Sequence, residues 1–219
     1  MLYRFKFFSF LLVIIYVGVT YYIIDRLFFM PVRNYSLFES GMVNIFNNYI
    51  FLLCLLGLSI IMADIKKSLS YIYILVFFIV AYLITLIMFN TILDWVFLFN
   101  LDAYFGFDKF PLVIIYLLSI LIGIVLWIHP INYFYKIGFS IIFAVITSFH
   151  VGLKDIEIFT ISSLVNFPGG NLLIIIWLSI MIIYLLKLFN EKYTIIISRI
   201  YGSWLITIGV MSSLFSLLY

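Results

Sequence analysis

Apolar residues follow one another along this chain in runs of about twenty, and the few charged residues lie between the runs. A helix rises about 1.5 Å per residue, so a run of that length crosses the roughly 30 Å hydrocarbon core of a bilayer. The runs are apolar on every side, whereas strands of a membrane β-barrel alternate polar and apolar positions over about ten residues. The pattern therefore predicts an all-α, polytopic bundle of transmembrane helices.

We predict seven spans, within a range of six to eight. They are Phe7–Ile24, Tyr49–Ile65, Ser70–Phe89, Pro111–Ile128, Tyr133–His150, Asn171–Phe189 and Thr194–Leu218. The first run follows basic residues as a signal peptide does, but it is longer and lacks a small-residue cleavage site, which favours an uncleaved anchor. No repeat or low-complexity linker divides the chain, so residues 1–219 are predicted to form one integral membrane domain.

The distribution of Lys and Arg predicts the orientation. With the N-terminus in the cytoplasm, eight of the twelve Lys and Arg residues fall in inner segments and four in outer ones, as the positive-inside rule requires. Seven of the nine acidic residues fall on the outer side. We therefore predict an N-in, C-out protein of a bacterial inner membrane or an organellar inner membrane.

Composition limits the partners and cofactor sites that can be expected of this chain. The chain is 67% hydrophobic and 10% charged, whereas soluble domains carry about 45–50% apolar and about 25% charged residues. The net charge of +3 is spread over helix ends without a basic patch, so no nucleic-acid partner is predicted. The single cysteine, Cys54, lies within a span, where it is predicted to fill space as a small hydrophobe; one thiol cannot build a thiolate-ligated metal or iron–sulfur site.

No cofactor site is predicted. The two histidines, His129 and His150, stand at opposite ends of adjacent antiparallel spans, which is the wrong arrangement for two axial ligands of one haem. Phe167-Pro168-Gly169-Gly170 is read as a turn before the sixth span rather than a phosphate-binding loop, because no Lys-Ser/Thr pair follows it. No haem, iron–sulfur or nucleotide site is therefore evident, and any cofactor stays unknown.

The three long outer segments mix acids with aromatic residues. Such segments suit the headgroup region, and short interfacial helices are expected in them. The third segment offers a candidate cation site, because His150 is followed by Asp155 and Glu157, and an imidazole with two carboxylates suits nickel, cobalt or zinc. The alternative is that the histidine hydrogen-bonds at the interface and the acids are solvated.

No catalytic residue is predicted, since neither a nucleophile motif nor a metalloprotease motif occurs. Small residues recur at helical spacing, as at Ser140, Ala144 and Ser148, which indicates close helix packing. Two function classes stay open. One is a small permease for a cation or metal ion. The other is a non-catalytic subunit or assembly factor that binds a membrane-protein partner or a second copy of itself.

Overall fold

The computed structural model describes residues 2–26, 35–63, 68–98, 110–128, 131–154, 161–189 and 191–218, and within these ranges every regular element is a helix. The helices are α1 (Leu2–Ile24), α2 (Leu37–Asn47), α3 (Tyr49–Ala63), α4 (Ser68–Ile87), α5 (Phe89–Leu98), α6 (Phe110–Ile128), α7 (Tyr133–Lys154), α8 (Ile161–Leu186) and α9 (Glu191–Leu218). The predicted all-α class is confirmed.

Several of these helices are long and apolar enough to cross a membrane. Across the described ranges, four meet that requirement, through the segments Ser70–Ile87, Tyr133–Gly152, Val165–Leu186 and Lys192–Ser216. The α2–α3 pair, bent by 80°, adds a fifth if it counts as one span. The chain therefore has the helices of a multi-pass membrane protein with four to five candidate spans, while the count of seven and the orientation stay predictions.

Helix α3 lies at the centre of the bundle. It contacts α2, α6, α7, α8 and α9, and eleven of its fifteen residues are buried. Its sequence is apolar around the whole circumference, and a helix of that kind is stable only when it is surrounded. Cys54 is fully buried on α3, as predicted for a cysteine that fills space. Around α3, helix α4 pairs with α7 and α6 pairs with α9.

Small residues bring α6 and α9 into backbone contact. A Cβ atom added to Gly202 would lie 2.7 Å from the carbonyl oxygen of Gly123, and one added to Gly123 would lie 2.8 Å from the carbonyl oxygen of Gly202. These distances leave no room for a side chain, so the glycines set the approach of the two helices. The predicted packing role of the small residues is confirmed here, and the neighbour is another helix of the same chain.

One prediction about the segments expected on the outer side is wrong. Phe167–Gly170 is not a turn, because α8 begins at Ile161 and carries Pro168 in its interior. The glycines that suggested a turn instead let another helix come close. A short helix, α2, does form in the first of these segments, and its Gly41, Met42 and their neighbours are buried against α8. Its position at a membrane surface stays a prediction.

Candidate functional site

The site begins with the short helix α2, which is fixed at its N-terminus by a capping box. The Ser36 backbone N–H donates to Glu39 Oε2 over 2.9 Å, and the Glu39 N–H donates to Ser36 Oγ over 3.3 Å. An exposed ion pair of 3.6 Å between Arg26 and Glu39 links α1 to the same cap, and it contributes little at that exposure. The Ser-x-x-Glu spacing was the signal in the sequence that would have located this helix.

Asn48 forms the joint between α2 and α3. It follows the last residue of α2, and its side-chain Oδ1 accepts a hydrogen bond from the Phe51 N–H over 3.2 Å. Its own carbonyl oxygen accepts from the Leu52 N–H over 3.0 Å, which is the first helical bond of α3. Asn48 therefore caps α3 from the corner of the 80° bend, and its amide nitrogen points to a neighbouring helix.

That amide reaches the predicted histidine. Asn48 Nδ2 lies 3.4 Å from His150 Nε2, and because an amide nitrogen only donates, the ring nitrogen accepts. His150 does not end its helix as predicted, since α7 continues for another turn to Lys154. Its side chain is buried, with 8% of its surface exposed.

A second amide pair lies between α2 and α8. Asn44 Nδ2 donates to Asn171 Oδ1 over 3.1 Å, and Asn171 Nδ2 donates to the Phe167 carbonyl oxygen over 3.0 Å. Both asparagines are buried. Polar side chains inside a membrane bundle must be hydrogen-bonded because nothing else satisfies them. We call Asn44, Asn48, His150 and Asn171 the polar cluster.

Helix α4 joins the same region through Tyr82, which is fully buried. Its hydroxyl donates to the carbonyl oxygen of Pro168 over 3.3 Å, and its own carbonyl oxygen accepts from Ser148 Oγ over 2.8 Å. The side chain of Tyr82 thus connects α4 to α8, and the backbone carbonyl group of Tyr82 connects α4 to α7. The proline inside α8 is therefore held by a partner outside its own helix.

Below the polar cluster lies a layer of phenylalanine rings. The ring centroids of Phe51 and Phe143 are 5.0 Å apart, and those of Phe78 and Phe143 are 6.2 Å apart. All three side chains are buried and come from α3, α4 and α7. We call these three residues the aromatic layer. Tilted ring pairs at such distances are attractive and leave little space between the helices.

Beyond the aromatic layer is a small, partly open cavity of about 10 Å³, lined by residues of α3, α4, α7 and α8. Its walls include Phe78, Met62 and the two hydroxyl side chains Ser140 and Ser179. Ser140 is fully buried, and its hydroxyl has no hydrogen-bond partner within the part of the chain that the structure describes. Serines in helices commonly bond to a carbonyl one turn earlier, so an unpaired hydroxyl here is unusual.

The predicted cation site is described only in part. His150 lies in the polar cluster, while Asp155 and Glu157 lie outside the described residues, as does His129. Across the ranges that the structure covers, no three His, Cys, Asp or Glu side chains come together as a metal site would require. The cation site therefore stays a prediction.

Sequence reasoning missed the three asparagines of the polar cluster. Each is an amide inside an otherwise apolar segment, and Asn44 and Asn171 both stand close to a glycine in the chain. An amide beside a glycine in a membrane helix marks a position where two backbones approach and a polar group is shared. An asparagine close to a glycine was therefore the sequence signal that could have located Asn44 and Asn171.

Comparison with known proteins identifies no relative of this chain. No protein-family model matches the chain, and neither a curated protein nor a solved structure matches it. The function therefore has to be inferred from the geometry of the site alone.

Proposed function

We propose that this protein is a small membrane permease whose pathway runs between α3, α4, α7 and α8. The observation that carries the proposal is the order of three features along this interior: the polar cluster, then the aromatic layer, then the cavity with its hydroxyl groups. Buried polar groups inside a membrane bundle are costly to maintain and commonly mark a pathway.

The separation of the two polar regions supports this proposal. His150 and Ser140 both lie on α7, ten positions apart in the sequence, which corresponds to about 15 Å along the helix axis. That distance is about half the thickness of the hydrocarbon core. Phe143 stands between them and belongs to the aromatic layer. Polar regions on both sides of a closed aromatic constriction are the arrangement of an occluded pathway.

The proposal includes seven spans in the N-in, C-out orientation. The four long helices and the bent α2–α3 pair would supply five of them. The other two would be α1 and α6, whose apolar segments Val13–Ile24 and Val113–Ile128 are shorter. An odd number of spans places the two termini on opposite sides. The polar cluster would then face the outer side, where the acidic segments are.

The narrower hypothesis of a cation as solute rests on His150 with Asp155 and Glu157. It is supported by the position of His150 at the end of the proposed pathway nearest to the acidic segment. The cation hypothesis predicts that replacing all three residues by Ala abolishes uptake of Ni²⁺ or Co²⁺ while the protein stays folded. Unchanged uptake in the triple variant would contradict the cation hypothesis.

The permease proposal is tested with purified protein in liposomes. Three fluxes are compared with those of empty liposomes: water by light scattering after an osmotic step, ammonia by an enclosed pH dye, and Ni²⁺ by an enclosed metal-quenched dye. A permease of the proposed kind accelerates at least one of them. Rates equal to those of empty liposomes for all three would refute it.

The second candidate, a non-catalytic subunit or assembly factor, is favoured by one observation on α1. In the part of α1 whose side chains the structure describes, the exposed apolar residues include Val13, Ile14, Ile15, Val17 and Tyr21, so this part presents apolar surface over much of its circumference. Within the part of the chain that the structure describes, Trp177 Nε1 on α8 donates to Thr20 Oγ1 over 2.9 Å and so anchors α1 to the bundle. Native mass spectrometry of the detergent-extracted protein distinguishes the candidates, because a subunit appears as a reproducible heteromer.

A further inference from the structure

We infer that the cavity between Ser140 and Ser179 is the solute site of the pathway, and that it takes an uncharged hydrogen-bonding molecule of about the size of water. The inference rests on the proposed permease function and names a neutral solute in place of the cation of the narrower hypothesis. Water and ammonia are the two molecules of this chemistry that the experiment distinguishes.

The size of the cavity favours a solute as small as water. Its volume is about 10 Å³, and a cavity needs roughly 10–15 Å³ on the same measure to hold one water molecule. A sugar, an amino acid or a hydrated metal ion is far larger. Met62 and Phe78 line the cavity and can adjust their side chains, but the room they release is small compared with such solutes.

The lining of the cavity sets its polarity. Among the described residues its walls carry no charged side chain, and the two serine hydroxyls stand among leucine, isoleucine, methionine and phenylalanine side chains. An ion in such surroundings loses its hydration shell without compensation, which is prohibitively costly. A neutral molecule loses only one or two hydrogen bonds, and the serine hydroxyls replace them.

Ser140 supplies the specific observation that points to a ligand. Its side chain is fully buried, and its hydroxyl has no hydrogen-bond partner among the residues that the structure describes. Leaving a buried hydroxyl unpaired is unfavourable, and this one lines the cavity. A hydroxyl both donates and accepts, so it can bind water or ammonia equally well.

The position of the site explains how ions are excluded. Ser140 follows the start of α7 by about seven residues, and Ser179 precedes the end of α8 by the same number, so the antiparallel helices place both roughly 10 Å from one end of the bundle. On the opposite side the cavity meets Phe78 of the aromatic layer. A hydrophobic constriction passes single neutral molecules more readily than hydrated ions.

The test uses two substitutions in the full-length protein and one matched control. Ser140→Ala and Ser179→Ala each remove a hydroxyl from the cavity. Ser198→Ala removes an equally buried hydroxyl on α9 that donates to the Ile195 carbonyl oxygen over 2.8 Å and does not line the cavity. All three are compared with the unmodified protein in liposomes, with water, ammonia and Ni²⁺ as probes.

The expected result is protein-dependent flux of water or ammonia without flux of Ni²⁺. Loss of one hydrogen bond worth about 1 kcal/mol lowers the flux about fivefold in Ser140→Ala and Ser179→Ala. Flux through Ser198→Ala is unchanged. Which of the two neutral probes crosses identifies the solute.

Three results would overturn the inference in distinguishable ways. Flux of Ni²⁺ would contradict a neutral solute and leave the permease proposal standing. Flux of water or ammonia that neither cavity substitution lowers would show that the cavity is not the solute site, while transport by the protein would still stand. Absence of flux for all three probes would refute both. Each variant is first checked for folding by the protection of its buried Cys54 from a thiol-reactive dye.

Discussion

A methyl group at the crossing of α2 and α8 should loosen this part of the bundle. A Cβ atom on Gly170 would meet the backbone carbonyl oxygen of Phe38 well inside contact distance and would lie 3.1 Å from the Met42 nitrogen. A Cβ atom on Gly41 would meet the carbonyl oxygen of Phe167 in the same way. Backbone atoms cannot rotate aside, so either substitution by Ala forces α2 away from α8.

The size of the effect follows from three contributions. Overpacking costs about 1–3 kcal/mol. The 3.1 Å bond between Asn44 and Asn171 joins the same two helices, and breaking it in a buried position costs about 1–3 kcal/mol more. The higher helix propensity of Ala compared with Gly offsets about 1 kcal/mol of this loss of stability. A net loss of about 3 kcal/mol lowers the unfolding temperature of a chain of this length by roughly 6–12 °C.

The chain provides both the assay and the control. Its single cysteine, Cys54, is buried in α3, so a thiol-reactive fluorescent dye reports unfolding in detergent as the sample is heated. Gly138 on α7 has nothing within 4 Å of an added Cβ, and Gly138→Ala should raise the unfolding temperature by a few degrees at most. If Gly170→Ala and Gly138→Ala unfold at the same temperature, α2 does not cross α8 by backbone contact.

Two further predictions concern the hydrogen bonds around the polar cluster, measured with the same dye. Asn44→Leu and Asn171→Leu are each expected to cost about 1–3 kcal/mol because the remaining amide loses one buried hydrogen bond, whereas the double variant costs less than their sum. Strictly additive losses would mean that the two amides do not interact. Tyr82→Phe keeps the ring and removes the hydrogen bond to the Pro168 carbonyl oxygen. We expect it to lower the free energy of unfolding by about 1 kcal/mol. An unfolding temperature equal to that of the unmodified protein would exclude that bond.

Local sequence determined the helices of this protein. Long apolar runs predict membrane-length helices because the backbone must satisfy its hydrogen bonds within each segment. The start of α3 at Tyr49 and of α7 at Tyr133 agrees with the prediction. The burial of Cys54 and the packing role of the small residues also follow from composition and spacing, since these depend on the local segment.

The tertiary structure decided which faces meet. Helices that are apolar on every side have no distinct polar and apolar faces, so their sequence does not indicate which side is buried. For this reason the sequence did not reveal that Ser140 lines a cavity. The Asn44–Asn171 bond joins residues 127 positions apart, and no local pattern indicates such a pair. Pro168 belongs to the segment Phe167–Gly170, which was predicted to be a turn. It stands inside α8, where Tyr82 from α4 donates to its carbonyl oxygen and where Gly170 admits the backbone of α2. Both contacts exist only when distant segments are assembled.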